Sequence, residues 1–535
     1  MESPSPSRVR VLRKPVVLIA LAAALIAIAV QSGELGSADT QHRLQSAHSF
    51  WTSEPPVFPN EYPDFGIHGK DGSLQSWYGI GQSLLMLPSD IAGTWIERRP
   101  AFDDYDGNDP SVRNIFVAYT VSTAVNVLTA LVCMRFLLLL GFDVRQRVAG
   151  TLALLLCTTH LHYTQNLMEN NYICLLTLTG FTGFLDWAKT GRRSALAFGS
   201  AAFGLNLLTR LTTGLDLLAG ILFLLLHLSM RGDRGPALLS RARTFLFTAV
   251  PVFGLFCFLD RLYQHRRFGS WTNTYVSIVA NEARARDPQL PANYPWTTPF
   301  PHGFFGALFS PDKSIFLFDP LLILAALIAV AGWRRFSPSI KAYTATAALL
   351  LLAYLCFYAR YFAWAGGSDW GDRYTATAVQ LATLLAVPLL LRLRKHLSRA
   401  LIACGALLVA ISVVIQAASV AFWQPLELYQ IDNLPRRFLI GLRLENIAAF
   451  ALGRMDAWGL NTPSMRRDAW DYAHMTNWNF LPFVLQRGGE APQRVVRLTL
   501  VLWIVVPALL AWTVLHLYRV LRAQPSTEPA PPTTR

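Results

Sequence analysis

The sequence predicts an all-α polytopic membrane protein with about twelve transmembrane helices and long loops on its outer face. Three observations carry this prediction. Apolar runs of about 18 or more residues recur along the chain, the length a helix needs to cross a bilayer. Only 15% of the 535 residues are charged and 53% are hydrophobic, whereas soluble domains carry roughly a quarter charged residues. The basic residues fall between the apolar runs and alternate from loop to loop, as orientation signals do.

The first run, Pro15–Gln31, follows Arg8, Arg10, Arg13 and Lys14. This pattern fits a signal peptide or a first span, and its length and the runs behind it favour an uncleaved helix. Residues 1–14 are then a cytoplasmic N-terminus. Further spans are predicted near 113–140, 148–165, 171–187, 195–210, 213–230, 244–262, 314–332, 342–362, 374–391, 400–422 and 496–518. Arg145 and Arg147, the cluster Lys189–Arg193, Arg231–Arg243, Arg334–Lys341, Arg392–Arg399, and Arg519 with Arg522 all fall on one side under this count. By the positive-inside rule that side is cytoplasmic. One missed span would break the alternation.

Residues 15–422 form the predicted transmembrane module, with outer loops at 32–112 and 263–313. A third outer loop covers 423–495 before the last span, 496–518. Loops this long are functional or disordered, and these hold too many aromatics for disorder. Asp90–Ile96 and Phe438–Trp458 read as amphipathic helices, lying on the membrane surface or packed within the loops. The final stretch 523–535 is Pro/Thr-rich, and 519–535 reads as a disordered cytoplasmic tail.

Composition also excludes several classes. The net charge of +14 is spread between spans and forms no soluble basic face, which argues against nucleic acid. Cys133, Cys157, Cys174, Cys257, Cys356 and Cys404 lie inside apolar runs without metal-ligand spacing. His42, His48 and His68 share the first loop, again without such spacing. No GxGxxG or GxxxxGK[ST] stretch follows a strand. No metal or cofactor is expected.

Chemistry concentrates where the loops meet the spans. Asp39 follows the first span, with Arg43 one helical turn on and Gly33, Gly36, Ser37 and Ala38 before it. A carboxylate at this border, kept charged by a neighbouring cation, can act as a general base; the plain alternative is a solvated loop acid. Glu169 is the second candidate acid, in an outer turn among Asn166, Asn170 and Asn171. Its alternative is a helix-capping role. Arg210, Lys313, Arg360 and Arg373 sit at outer helix ends, against the positive-inside bias. Each can snorkel to headgroups or pair with an acid, with Asp369 and Asp372 the obvious partners for Arg373. Together they suggest a pocket for an anionic group such as a phosphate.

Five stretches in this order resemble the GT-C superfamily of membrane glycosyltransferases. The branch is that of protein O-mannosyltransferases and the lipid A aminoarabinose transferase, with its bacterial relatives. The stretches are Ser37–Leu44; Gly69-Lys70-Asp71-Gly72 through Tyr78–Leu85, ending at Pro88; Leu208-Thr209-Arg210; Phe309–Lys313 with Asp319–Leu322; and Trp364 through Arg373-Tyr374. Two departures stand out. The loop start carries the single acid Asp39 where the branch has a pair, with Glu34 five residues earlier. Leu211 replaces the proline expected after Arg210.

The resemblance implies a sugar donor on polyprenyl phosphate and inversion at the anomeric carbon. Asp39 would be the base, with Glu169 a second catalytic acid. Lys70, Arg210, Lys313 and Arg373 would bind the donor phosphate. Arg43, Trp77, Tyr78 and Trp364 would contact sugar or acceptor. The acceptor would be a glycan, a lipid or a protein, and the active face extracytoplasmic, on the plasma membrane in a bacterium. The alternatives are a transporter or flippase of lipid-linked sugars, and a ligase that moves a polymer from its lipid carrier. Transporters place ionisable residues near the midplane, whereas here they gather at the outer ends.

Overall fold

A computed structural model of the chain describes residues 6–58, 65–105, 109–232, 236–433, 439–454, 478–488 and 491–523. In order, the helices are α1 (Pro6–Val30), α2 (Ala38–His48), α3 (Gly81–Glu97), α4 (Val112–Leu139), α5 (Val144–Leu156), α6 (His160–Gln165) and α7 (Asn170–Thr190). Next come α8 (Arg193–Thr209), α9 (Gly214–Arg231), α10 (Pro236–Phe268), α11 (Tyr275–Arg286), α12 (Phe300–Phe309), α13 (Ile315–Phe318) and α14 (Leu321–Gly332). They are followed by α15 (Pro338–Tyr358), α16 (Ala376–Thr383), α17 (Ala386–Leu393), α18 (Arg399–Ala421), α19 (Gln424–Asn433) and α20 (Leu439–Ala451). Two further helices cover Leu481–Gly488 and Gln493–Ala523. The paired strands among the described residues are the short antiparallel pair β1 (Ile67–His68) and β2 (Leu74–Gln75), with Ile67 opposite Gln75.

Local chemistry sets the helix ends. Ser37, Ser111, Ser337 and Ser398 each accept the backbone N–H three residues on. Each thereby satisfies one of the donors that a helix start leaves unpaired. Asp143 and Gln146 form a reciprocal capping box at α5. Gly191 closes α7 with φ 74°, a left-handed backbone that glycine adopts without a Cβ penalty.

Each of the twelve predicted spans overlaps one or more helices. Seven stretches among the described residues are long and apolar enough to cross a membrane: Val112–Leu139, Leu211–Arg231, Leu238–Phe268, Pro338–Tyr358, Ala376–Leu393, Arg399–Ala421 and Gln493–Ala523. The chain is a multi-pass, all-α membrane protein.

Several boundaries differ from expectation. The span at 148–165 is two helices, broken at Cys157–Thr159, where the Thr159 N–H donates to the Asp319 carboxylate at 2.7 Å. The span at 314–332 breaks after Phe318, because Pro320 has no N–H to continue the ladder. Helix α1 starts at Pro6, and α10 runs on to Phe268. The last helix extends past 496–518 at both ends, so 519–523 are helical, while 524–535 lie outside the described residues. The long loops carry helices of their own: α2 and α3 in the first, α11 and α12 in the second, α19, α20 and Leu481–Gly488 in the third. Asp90–Ile96 lies within α3. Of Phe438–Trp458, α20 covers the centre, and Phe438 and 455–458 lie outside the described residues.

The core forms where α4, α7, α9 and α15 meet. Phe136, Phe181, Phe223 and Tyr343 pack edge to face there, with Phe136 and Tyr343 ring centroids 4.9 Å apart. Helices α7 and α8 approach backbone to backbone, since a Cβ on Gly183 would stand 2.7 Å from the Gly199 Cα. This antiparallel contact brings the start of α7 and the end of α8 to one end of the bundle. By contrast, α10 and Gln493–Ala523 leave Leu246, Phe247, Leu502 and Ile504 exposed, as helices facing lipid do.

Candidate active site

At that end lies a cavity of about 560 Å³. Six of its polar groups come from five separate segments. Asp39 and Arg43 come from one face of α2, Tyr78 from the segment before α3, Glu169 from the residue before α7, Arg210 from the residue after α8, and Arg373 from the connection between α15 and α16. An apolar wall of Leu207, Leu211, Leu215, Leu218 and Phe357 continues the cavity. Leu218 and Phe357 are themselves exposed on the bundle surface.

The charges form two linked groups. Asp39 lies in the first turn of α2, where the helix dipole favours a carboxylate. Its Oδ1 accepts from the Tyr78 hydroxyl at 2.6 Å, and its Oδ2 lies 3.1 Å from Arg373 Nη1. Arg373 also reaches Asp369 at 3.3 Å. Glu169 is almost wholly buried and pairs with two guanidiniums, Arg43 at 2.8 Å and Arg210. Arg43 in turn lies over the Tyr78 ring, 4.1 Å from its centroid, a cation–π contact that joins the groups.

Burial alone would raise the Glu169 carboxyl, but Arg210, Arg43 and Arg373 together hold it below the usual carboxylate range. Glu169 is therefore a fixed negative charge between two cations. Burial would lower Arg373, yet Tyr374, Asp369 and Asp39 raise it. Burial, with Asp39 adding to it, lifts the Tyr78 phenol well above its ordinary value, so it stays protonated as a donor.

Of the residues expected in the site, Asp39, Arg43, Trp77, Tyr78, Glu169, Arg210 and Arg373 line the cavity. Arg43 pairs with Glu169 and not with its helix neighbour Asp39. Three expected residues lie elsewhere. Lys70 is exposed in the turn between β1 and β2. Trp364 packs on Gly306 and His302. The Lys313 ammonium is buried and donates to the carbonyls of Gly367 (2.7 Å), Asp369 (2.7 Å) and Gly371 (3.1 Å). With three donors on three carbonyls, it has none left for a phosphate. Glu34, the earlier acid of the first loop, faces Arg487 at 3.7 Å and is absent from the cavity lining.

Four tyrosines and a glutamine went unpredicted: Tyr275, Tyr358, Tyr361, Tyr374 and Gln264, all lining the cavity. Tyr358 and Tyr374 stack with centroids 4.4 Å apart. A signal for part of this existed, because Tyr354 and Tyr358 stand one helical turn apart at the cavity end of α15, and Tyr361 follows three residues past its end. Among the described residues no three His, Cys, Asp or Glu side chains group to hold a metal ion.

No protein-family model matches the sequence, and no curated protein matches it. Among solved structures the chain is similar to the oligosaccharyltransferase of Archaeoglobus fulgidus in its apo form, at 13% identity and a TM-score of 0.46. It is likewise similar to the same protein tethered to an acceptor peptide containing the NVT sequon, at 14% identity and a TM-score of 0.48. Either match covers 76% of this chain and 55% of that chain, so the chain spans about half the length of the oligosaccharyltransferase. ArnT from Cupriavidus metallidurans, bound to undecaprenyl phosphate, is similar at 15% identity and a TM-score of 0.39, over 95% of this chain and 78% of that one.

Proposed function

We propose that the cavity is the active site of an inverting membrane glycosyltransferase. It moves a sugar from a polyprenyl-phosphate donor to an acceptor hydroxyl on a glycan, lipid or protein, at the extracytoplasmic face. One observation carries the reading. A single cavity joins the carboxylate of Asp39 and the guanidiniums of Arg210 and Arg373 to an apolar wall whose Leu218 and Phe357 reach the bundle surface. A ligand that fits all of this has an anionic head and a hydrocarbon tail.

The residues divide the reaction between them. The tail lies along Leu207, Leu211, Leu215 and Leu218, and the phosphate meets Arg210 and Arg373. Asp39 takes the proton of the acceptor hydroxyl as that oxygen attacks the anomeric carbon. The bond from that carbon to the phosphate oxygen breaks, and its electron pair stays on the phosphate, where the guanidiniums stabilise the growing charge. Attack from the face opposite the phosphate inverts the anomeric carbon. Tyr78 holds the Asp39 carboxylate by its 2.6 Å hydrogen bond. Glu169, locked between Arg43 and Arg210, positions those cations in this scheme and takes no proton.

The test is transfer of labelled sugar from polyprenyl phosphate in membranes holding the full chain. Asp39→Asn should lower transfer by about 10²–10⁴-fold, the range for loss of a general base. Unchanged transfer by a folded variant would remove Asp39 as the base. Movement of the lipid-linked sugar across the bilayer without bond cleavage would assign the chain to transport instead.

A further inference from the structure

We infer that Gln264, on the wall that α10 gives the cavity, hydrogen-bonds a hydroxyl of the donor's sugar and so helps set which sugar the site accepts. This rests on the glycosyltransferase reading above. Helix α10 is apolar and exposed over most of its length, with Leu246, Phe247, Leu255 and Phe258 bare on its surface. Buried polarity appears only near its end. Asp260 and Gln264, each 3% exposed, stand one turn apart on the same face, and both line the cavity. A buried amide on a lipid-facing helix costs free energy unless it is hydrogen-bonded. Yet the Gln264 Oε1 is buried and has no partner among the described residues.

Its neighbours on this wall are already engaged. Asp260 holds Arg261, and the Thr274 hydroxyl caps α11 in a reciprocal pair with Ser277. The amide of Gln264 therefore points to a ligand group. An ionised phosphate accepts and cannot donate, and a prenyl tail does neither. A hydroxyl does both, so it satisfies the amide in either orientation.

The place of the wall selects the donor's sugar over the acceptor. Helix α10 packs along α8, whose end carries the anchor Arg210. Tyr275, on the same side, stacks toward Tyr78, which holds Asp39. The sugar must lie between anchor and base, and this wall flanks that gap.

The test uses the full chain in lipid nanodiscs. Dissociation constants are measured for undecaprenyl phosphate and for undecaprenyl phosphate carrying mannose, glucose, galactose or an arabinose. The readout is the gain in affinity that a sugar adds over the bare lipid phosphate. In Gln264→Leu and Gln264→Met, about a tenfold loss of that gain is expected, with unchanged binding of undecaprenyl phosphate. That unchanged binding also certifies the fold, and Met serves should Leu fail to fold. A gain kept in both variants overturns the inference, as does a wild-type protein for which no sugar adds affinity. A gain kept while transfer to the acceptor falls assigns the amide to the acceptor and equally overturns it. A wild-type protein that binds none of these lipids overturns the glycosyltransferase reading itself, and the inference with it.

Discussion

Replacing Asp39 with asparagine should lower transfer by about 10²–10⁴-fold and, in the same protein, tighten the binding of undecaprenyl phosphate. The second effect follows from geometry. Asp39 Oδ2 lies 3.1 Å from Arg373 Nη1, the guanidinium assigned to the donor phosphate. Carboxylate and phosphate therefore compete for one cation. At an effective dielectric constant of 20, two unit charges at 4 Å attract by about 4 kcal/mol. The side chains here are 26% and 21% exposed, and solvent screening reduces such a pair to about 1 kcal/mol. Arg373 also keeps Asp369 at 3.3 Å, so the substitution frees it only in part. The expected gain is about 1 kcal/mol, or about fivefold in Kd. Equilibrium binding of undecaprenyl phosphate to both proteins in nanodiscs measures it, and raising the salt should shrink the difference. Arg373→Gln should move affinity the other way by tenfold or more, since a charge-assisted bond is lost. Asparagine at 39 leaving the affinity unchanged, or weakening it, would refute the competition and show that Asp39 does not restrain the anchor.

Three further outcomes are expected. Glu169→Gln leaves two guanidiniums facing each other without their shared carboxylate; about 3 kcal/mol of stability should go, and a melting temperature in detergent equal to that of the wild type would contradict the role given to Glu169. Tyr78→Phe deletes the 2.6 Å hydrogen bond to Asp39, and steady-state kinetics should show kcat/KM about tenfold lower. His42 stacks on Phe65 at 3.3 Å and is lowered by burial, against the pull of Asp39, from 6.5 to about 4. The unfolded chain then binds the extra proton first, so stability falls as pH drops from 6.5 toward 4. Roughly 1–3 kcal/mol is at stake; unfolding curves of His42→Phe should lack this component, and identical pH profiles would exclude it.

What the sequence discloses depends on what each group costs in hydrocarbon. Apolar runs and alternating basic loops are written in composition, and helices occupy the predicted positions. An ionised side chain at the outer end of a span is expensive enough to stand out, which is how Asp39, Glu169, Arg210 and Arg373 come to notice. Their partners do not stand out. Arg43 lies one turn from Asp39 in sequence yet pairs with Glu169, because the α2 face turns toward the start of α7. Tyr358, Tyr361 and Tyr374 are amphipathic, so in sequence they merge with an interfacial belt. Gln264 is hidden by the reading that closes its span at 262, before α10 has ended at Phe268.

Lys313 shows why charge alone does not separate binding from positioning. A guanidinium on the connection 359–375 anchors a phosphate only as well as that connection is held. The hold comes from several remote segments. Lys313 collects three carbonyls of the connection, two of them in its 367–369 stretch and the third at Gly371. Gly366, Gly367 and Gly371 all take positive φ, a backbone in which alternate carbonyls can turn toward one point. Asn170 donates to the Arg373 carbonyl and Gln424 to that of Ser368, each at 2.6 Å. Arg443 lies over the Trp370 ring, 4.9 Å from its centroid, and is itself paired with Glu427. Burial lowers the Lys313 ammonium from its ordinary value, and its three carbonyl acceptors offset that cost. The same residue type at the same kind of position could have met a phosphate. Three inward carbonyls decide against it, and they depend on glycines more than fifty residues downstream. The helix α20 contact with Trp370 therefore places the third long loop in the support of Arg373, at a distance from the chemistry.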